Sequence, residues 1–360
     1  MSVGVFTFIT LLCVVQLIFA LDATVYYTHS SFRVEVGVRD FDRGAAVASY
    51  QPRLEEIGWD ILQVETGNSD LPDDIKAYAA GYIEGFLTSK RIWTHFSNMF
   101  EFTWGKSSKM PEYVSEFFKN QKNWVEDQVA ANKQDSYWQQ VNLIQRQFEG
   151  LVQGYNSNAS ESQKIAYTDL HTISSFGDLF DIIPTKKDKR PNFYNMTIEQ
   201  LHNYVATNTH CSAIIKVTPD LSDIYFGHTS WFTYASMTRI WKKYDFKYKN
   251  PLTKSTSISF SSYPAVIASN DDFYITSQKM VVIETTNVLM KNDLYDIVKP
   301  NALLCWQRAM LANRLSTSSP EWVNIFSKHN SGTYNNQFMA LDLKKFKPGQ
   351  EIKNDTLWII

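Results

Sequence analysis

Cys211, one of three cysteines in the chain, opens Cys211-Ser212-Ala213-Ile214-Ile215-Lys216-Val217-Thr218, a segment that reads as a buried strand. A thiol with an ordinary pKa of about 8.5 is mostly protonated at neutral pH, so it needs a base beside it before it can attack a carbonyl. If the chain is cut between His210 and Cys211, the new α-amino group, of unperturbed pKa about 7.7–8.0, supplies that base on the nucleophile's own residue. Ser212 and Ala213 are small and leave room for a substrate.

A second residue follows from hairpin geometry. Pro219-Asp220-Leu221-Ser222 is a turn sequence, and pairing across it sets Thr218 opposite Asp223, Ala213 opposite His228 and Cys211 opposite Ser230. His228 is then a same-face diagonal neighbour of Cys211, at ~7–8 Å between backbones. The same parity puts Trp231 on the opposite face unless the strand bends at Thr229-Ser230. For Cys211 three readings stand at this point: nucleophile, disulfide partner of Cys305, and inert thiol. Cys305, within Ala302-Leu303-Leu304-Cys305-Trp306, has the look of a small core residue of a helix.

The compartment comes from the N-terminus. Val3 to Ala20 is almost wholly apolar and ends in Ile18-Phe19-Ala20, which predicts a signal peptide over residues 1–20, although Met1 to Val5 carries no Lys or Arg. Asn158-Ala159-Ser160, Asn195-Met196-Thr197 and Asn354-Asp355-Thr356 fit the glycosylation pattern, which has meaning only on the secretory route. Removing the leader removes Cys13, so this is no disulfide scaffold and a core must hold the fold. The composition, 44 % hydrophobic and 14 % aromatic, supplies one, while a net charge of −2 without a basic stripe gives nucleic acid little to hold. No run after the leader approaches the ~20 apolar residues of a membrane span.

The elements that must position Cys211 fall into stretches. Residues 21–70 are strand-like, 71–156 turn helical from Pro72-Asp73-Asp74 onward, and further helices are expected over 112–132 and 136–155. Pro184-Thr185-Lys186-Lys187-Asp188-Lys189-Arg190-Pro191 opens a polar stretch to residue 210, read as a solvated linker or as a processing segment. Beyond it two hairpins are expected, over 211–231 and 257–288, with helices over 234–244 and 295–315 and a strand over 334–344. The organisation is therefore a leader (1–20), an N-terminal strand and helix region (21–183), a processing linker (184–210) and a nucleophile-bearing region of the same unit (211–360).

Cys211-Ser212-Ala213-Ile214-Ile215, Thr218-Pro219-Asp220-Leu221-Ser222-Asp223-Ile224-Tyr225-Phe226-Gly227-His228-Thr229-Ser230-Trp231 and Met237-Thr238-Arg239-Ile240-Trp241-Lys242-Lys243-Tyr244 together resemble the phospholipase B-like (lamina ancestor) family. So do Ala79-Ala80-Gly81-Tyr82-Ile83-Glu84-Gly85-Phe86-Leu87-Thr88 and Asn330-Ser331-Gly332-Thr333-Tyr334-Asn335-Asn336-Gln337-Phe338. The resemblance implies an N-terminal nucleophile hydrolase of α+β class: an αββα sandwich of two antiparallel sheets flanked by helices, self-cleaved before Cys211, lysosomal or secreted, acting on phospholipid acyl esters. It implies Cys211 as nucleophile, His228 and Trp231 lining its pocket with Ser212, and Asn335 or Asn336 as an oxyanion donor. Members of the family are usually longer, so the sandwich is expected to be incomplete at its C-terminal end. The bond itself is not identified, because a cysteine–amine site cleaves esters and amides by one acyl-enzyme route.

Other chemistry is weakly represented. Phe176-Gly177-Asp178-Leu179 carries Leu179 where a GDSL-type lipase has its serine, and no Gly-x-Ser-x-Gly elbow exists. The seven histidines show no metal-ligand spacing, so neither metal nor cofactor is expected. The leading expectation is a phospholipase B-like acyl hydrolase with a lipid or other acylated small molecule as partner. The alternatives are an inactive secreted glycoprotein that binds lipid or protein, and an amidase of the same fold.

Overall fold

The computed structural model describes residues 20–208 and 211–360, so residues 1–19 of the expected leader, and His210, lie outside the described residues. The strands are β1 Leu21–Thr28, β2 Ser31–Val36, β3 Ala46–Gln51, β4 Asp60–Thr66, β5 Ser212–Val217, β6 Ile224–Thr229, β7 Ile240–Asp245, β8 Ser257–Ser262, β9 Phe273–Thr276, β10 Met280–Thr285, β11 Gln337–Asp342 and β12 Leu357–Ile359. The helices are α1 Leu54–Ile57, α2 Asp73–Leu87, α3 Ser89–Trp104, α4 Glu112–Ala131, α5 Ser136–Asn158, α6 Tyr167–Ser174, α7 Phe176–Ile182, α8 Ile198–Asn208, α9 Cys305–Leu315 and α10 Ser319–Phe326.

The class is α+β, as expected, but the layers differ from two antiparallel sheets. Among the described residues one ten-stranded sheet runs β12-β11-β10-β9-β8-β7-β4-β3-β1-β2, and β5–β6 forms a separate hairpin. The large sheet is antiparallel except where β4 meets β7 in parallel, with Asp60 opposite Ile240 and Val64 opposite Tyr244. That junction joins the N-terminal and C-terminal halves edge to edge. Helices cover one face, and the large core includes Leu62, Val64, Ile83, Phe148, Phe260 and Val282. Against the other face the hairpin sets Ala213, Ile215, Ile224 and Phe226 on Val281, Ile283 and Leu341. Alternation explains the choice: Ser212, Ile214 and Lys216 between them are exposed.

Three expectations are corrected here. The span 234–244 is not a helix: a 3-10 turn over Tyr234–Ser236 leads into β7. The expected strand over 273–288 is two strands broken at Ser277-Gln278-Lys279, with Lys279 at φ 56°. The linker over 184–210 contains α8 and short 3-10 turns, since Ile198 to Asn208 has an amphipathic helical pattern.

Helix α2 lies unusually close to α5. A Cβ on Gly81 would meet the Gln147 carbonyl oxygen at 1.7 Å, and one on Gly154 would meet the Tyr82 oxygen at 1.9 Å. Backbone therefore packs on backbone, and nothing flexible can move aside. Gly81→Ala should lower stability by at least the ~1–3 kcal/mol of an overpacked core, read by urea unfolding. A loss within ~0.5 kcal/mol would show that the helices separate freely.

Candidate active site

Strand β5 pairs with β6 in the register derived above, Ala213 opposite His228, and the Thr218 amide donates to the Asp223 carbonyl at 3.0 Å. Beyond Thr229 the strand ends, so the chain bends at Ser230 and Trp231 comes to line the same slot as Cys211. Trp231 Nε1 donates to Thr229 Oγ1 at 3.1 Å, which fixes the indole after the bend. Phe176, Phe180, Phe232 and Tyr334 complete this mainly apolar slot. Gly177 borders it by necessity, because a Cβ there would stand 2.8 Å from the Tyr334 ring.

Sequence reasoning missed Glu284. One ligand atom each from Cys211, His228 and Glu284 lies within 4.8 Å of the other two. Glu284 is 0 % exposed near the end of β10, and neither of its oxygens has a hydrogen-bond partner. The available signal was a single carboxylate closing the apolar run Met280-Val281-Val282-Ile283. His228 Nε2 is also buried without a partner. Together the three are of the residue types that cysteine and serine hydrolases use as nucleophile, base and orienting carboxyl group.

Burial dominates the electrostatics. It pushes the Cys211 thiol to about 12, with Glu284 adding to the shift and the Trp231 amide acting against it. It raises Glu284 to about 8, opposed by Asn336 and by the Cys211 thiol, and raises Asp272 well above the carboxylate range with Glu284 as the next cause. Burial lowers the His228 pKa while Asp271 pulls it back. Burial thus favours the protonated form of the thiol at neutral pH. Cys211, Asp272 and Tyr334 have φ values of 70°, 49° and 48°, so three non-glycine residues in the left-handed region converge here.

The two cysteines are free, which removes the disulfide reading. Cys305 is buried at the start of α9, its amide donating to Asp178 Oδ1 at 3.0 Å. Of the paired amides, Asn336 is buried beside Glu284, whereas Asn335 is exposed and accepts from Asn330 Nδ2 at 3.0 Å. Ser212 is exposed, because it falls on the outer side of β5, and it does not line the slot. Asn158, Asn195 and Asn354 are all exposed, although Asn158 Nδ2 already donates to the Phe86 carbonyl at 3.0 Å.

Asp178 ties the Thr333–Asn336 loop to the core: its Oδ1 accepts from Thr333 Oγ1 as well as from the Cys305 amide. Burial raises its pKa to about 6, so the folded chain holds this proton more tightly than the unfolded chain does. The associated stability is present below the ordinary carboxyl pKa near 3.8 and is lost as pH rises through about 6. His95 and His171, lowered to about 3 by burial, act in the opposite sense, so the contribution must be read as a difference. Asp178→Asn keeps an acceptor, and its stability relative to wild type should rise by ~2–3 kcal/mol between pH 4 and pH 7. A flat difference in urea unfolding would show that Asp178 stays ionised when folded.

The Phospholipase B family matches residues 46–360. Phospholipase B-like protein B of Dictyostelium discoideum is 38 % identical over 317 residues, 88 % of this chain and 55 % of the relative. Phospholipase B of Crotalus adamanteus is 36 % identical over 345 residues, 94 % of this chain and 62 % of the relative, and Phospholipase B-like 1 of Homo sapiens is 35 % identical over 342 residues, 94 % and 61 %. The chain thus spans less than two thirds of the length of these relatives. Among the described residues no helix is long and apolar enough to cross a membrane. With a matched span that takes in both the strand hairpin and Glu284, the chain belongs to the phospholipase B family.

Proposed function

We propose that this chain carries the nucleophile site of a secreted or lysosomal phospholipase B-like acyl hydrolase, matured by cleavage between His210 and Cys211. The observation that carries the reading is Cys211 standing at the head of a strand, against His228 and Glu284, beside an aromatic slot suited to an acyl chain. Maturation answers the neutral thiol. The new α-ammonium would enter a group of buried carboxyls, where it lowers the pKa of the thiol beside it and then serves as base.

In the cycle the Cys211 sulfur bonds to the acyl carbonyl carbon, and the thiol proton passes through the α-amine to the departing alcohol as the ester C–O bond breaks. Water then attacks the thioester, releasing the fatty acid and restoring the thiol. We assign the oxyanion donation to Asn336, whose amide would turn from Glu284 and Thr286 to the substrate, an interaction worth ~3 kcal/mol in such transition states. The Glu284 backbone carbonyl accepts from the His228 ring and so orients it. The fold proposed for the whole enzyme is the N-terminal nucleophile sandwich, in which the β5–β6 hairpin begins the second sheet.

N-terminal sequencing of fragments from the expressed protein tests the maturation step. A fragment beginning at Cys211 is expected, associated with its partner because β4 and β7 pair across the cut. A chain that stays whole in acidic buffer overturns it. The neutral, buried thiol of the uncut chain favours one second reading, a glycoprotein that keeps the fold to bind lipid or protein. Correctly cut protein without turnover of any acyl ester or amide selects that reading.

A further inference from the structure

Spacing along the sequence predicts no metal site, yet three donors from distant segments converge in the fold. Cys211 precedes β5, His228 lies in β6 and Glu284 is near the end of β10, and one donor atom of each lies within 4.8 Å of the others. The Trp231 amide and Ser230 also approach the thiol, and Asn336 approaches Glu284. Glu284 is fully buried with both oxygens unpartnered, His228 Nε2 is buried and unpartnered, and the thiol is in no disulfide. A buried carboxyl group without a partner is costly, and a cation between it and a thiol relieves that cost.

We propose that Cys211 Sγ, His228 Nε2 and a Glu284 oxygen form a binding site for one zinc ion, and that zinc held there silences the nucleophile reversibly. The donor set selects the ion. Thiolate plus imidazole suits a borderline-soft divalent metal, whereas magnesium and calcium prefer all-oxygen shells. Three protein ligands leave a fourth position for water, as in open zinc sites. Tetrahedral ligands at ~2.0–2.3 Å from zinc stand roughly 3.5 Å apart, so each pair closes by up to about 1.3 Å through side-chain rotation. On binding, the thiol and the Glu284 carboxyl each give up a proton to solvent, and sulfur–zinc and oxygen–zinc bonds form without change of oxidation state. The sulfur lone pair that would attack a carbonyl is then committed to the metal.

The inference uses the pocket of the proposed hydrolase but does not require the chain to be cut. Equilibrium dialysis of the full chain against Zn²⁺ at neutral pH should show one ion per chain. Substitution by Co²⁺ should give thiolate-to-cobalt charge-transfer absorption. Cys211→Ala should abolish that absorption, Cys305→Ala should leave it intact, and His228→Ala and Glu284→Gln should each weaken zinc binding by at least ~10-fold, the lower end of losses seen for groups that only support a ligand. His228 is near a hairpin end and Glu284→Gln is close to isosteric, so at least one variant keeps the fold. Wild-type protein that retains no more zinc than Cys211→Ala, or binding that is indifferent to both His228→Ala and Glu284→Gln, overturns the site. Fragment sequencing reads maturation independently, so either reading can fail alone.

Discussion

Cys211→Ala should yield a chain that is neither cut nor active, because one side chain is assigned two attacks: first on the carbonyl of His210, later on a substrate carbonyl. Alanine removes the sulfur from both. Cys211→Ser keeps an oxygen that can attack when a base is held close, but its pKa is far higher, so slow or partial cutting with strongly reduced turnover is expected. Cys305→Ala is the control. Cys305 packs at the start of α9 and contacts the site through its backbone amide, which alanine retains, so cutting should proceed and stability should fall by at most ~1–3 kcal/mol. Fragment sequencing and acyl-ester turnover on the three variants check this together. Normal cutting of Cys211→Ala would sink the nucleophile assignment outright.

The sequence was most informative where local rules decide the outcome. Alternation and turn length fix the β5–β6 register, so the placement of His228 diagonal to Cys211 could be written down from residues 211 to 230 alone. The helices α2, α4 and α5 were equally accessible from their acidic or proline starts and apolar periodicity. Strand β3 was not, since Ala46-Val47-Ala48-Ser49-Tyr50-Gln51 is alanine-rich and weak in strand propensity; burial between β1 and β4 decides its state. Strand β7 was hidden by Lys242, which reads as a solvent residue but occupies a buried position in the alternation of Ile240, Lys242 and Tyr244. The site divides along the same line. Its hairpin half is local, whereas Glu284 and Asn336 arrive from β10 and the segment before β11, and only the sheet order brings them to Cys211.

Lys242 also gives the largest expected stability loss. Its Nζ is fully buried and donates to Glu84 Oε1 at 2.7 Å, to the Tyr263 carbonyl at 2.9 Å and to the Val266 carbonyl at 2.6 Å. Glu84, on the α2 segment between Gly81 and Gly85, accepts from Tyr244 at its other oxygen. Lys242→Met fits the space but leaves the buried Glu84 carboxylate without its counter-charge, while the two carbonyls fall back on the Val266 amide and Ser262 Oγ, so unfolding free energy should fall by ~3–5 kcal/mol. The second variant, Glu84→Gln with Lys242→Met, removes the stranded charge and should recover part of that loss, because a deleted buried pair costs less than a broken one. The freed carbonyls belong to the loop that leads to Asp271 and Asp272. The Lys242→Met chain should therefore lose maturation at Cys211 even at low temperature, where it remains folded. Urea unfolding of both variants, with fragment sequencing, separates the effects: a single-variant loss below ~1 kcal/mol would mean that the ion pair does not hold this loop.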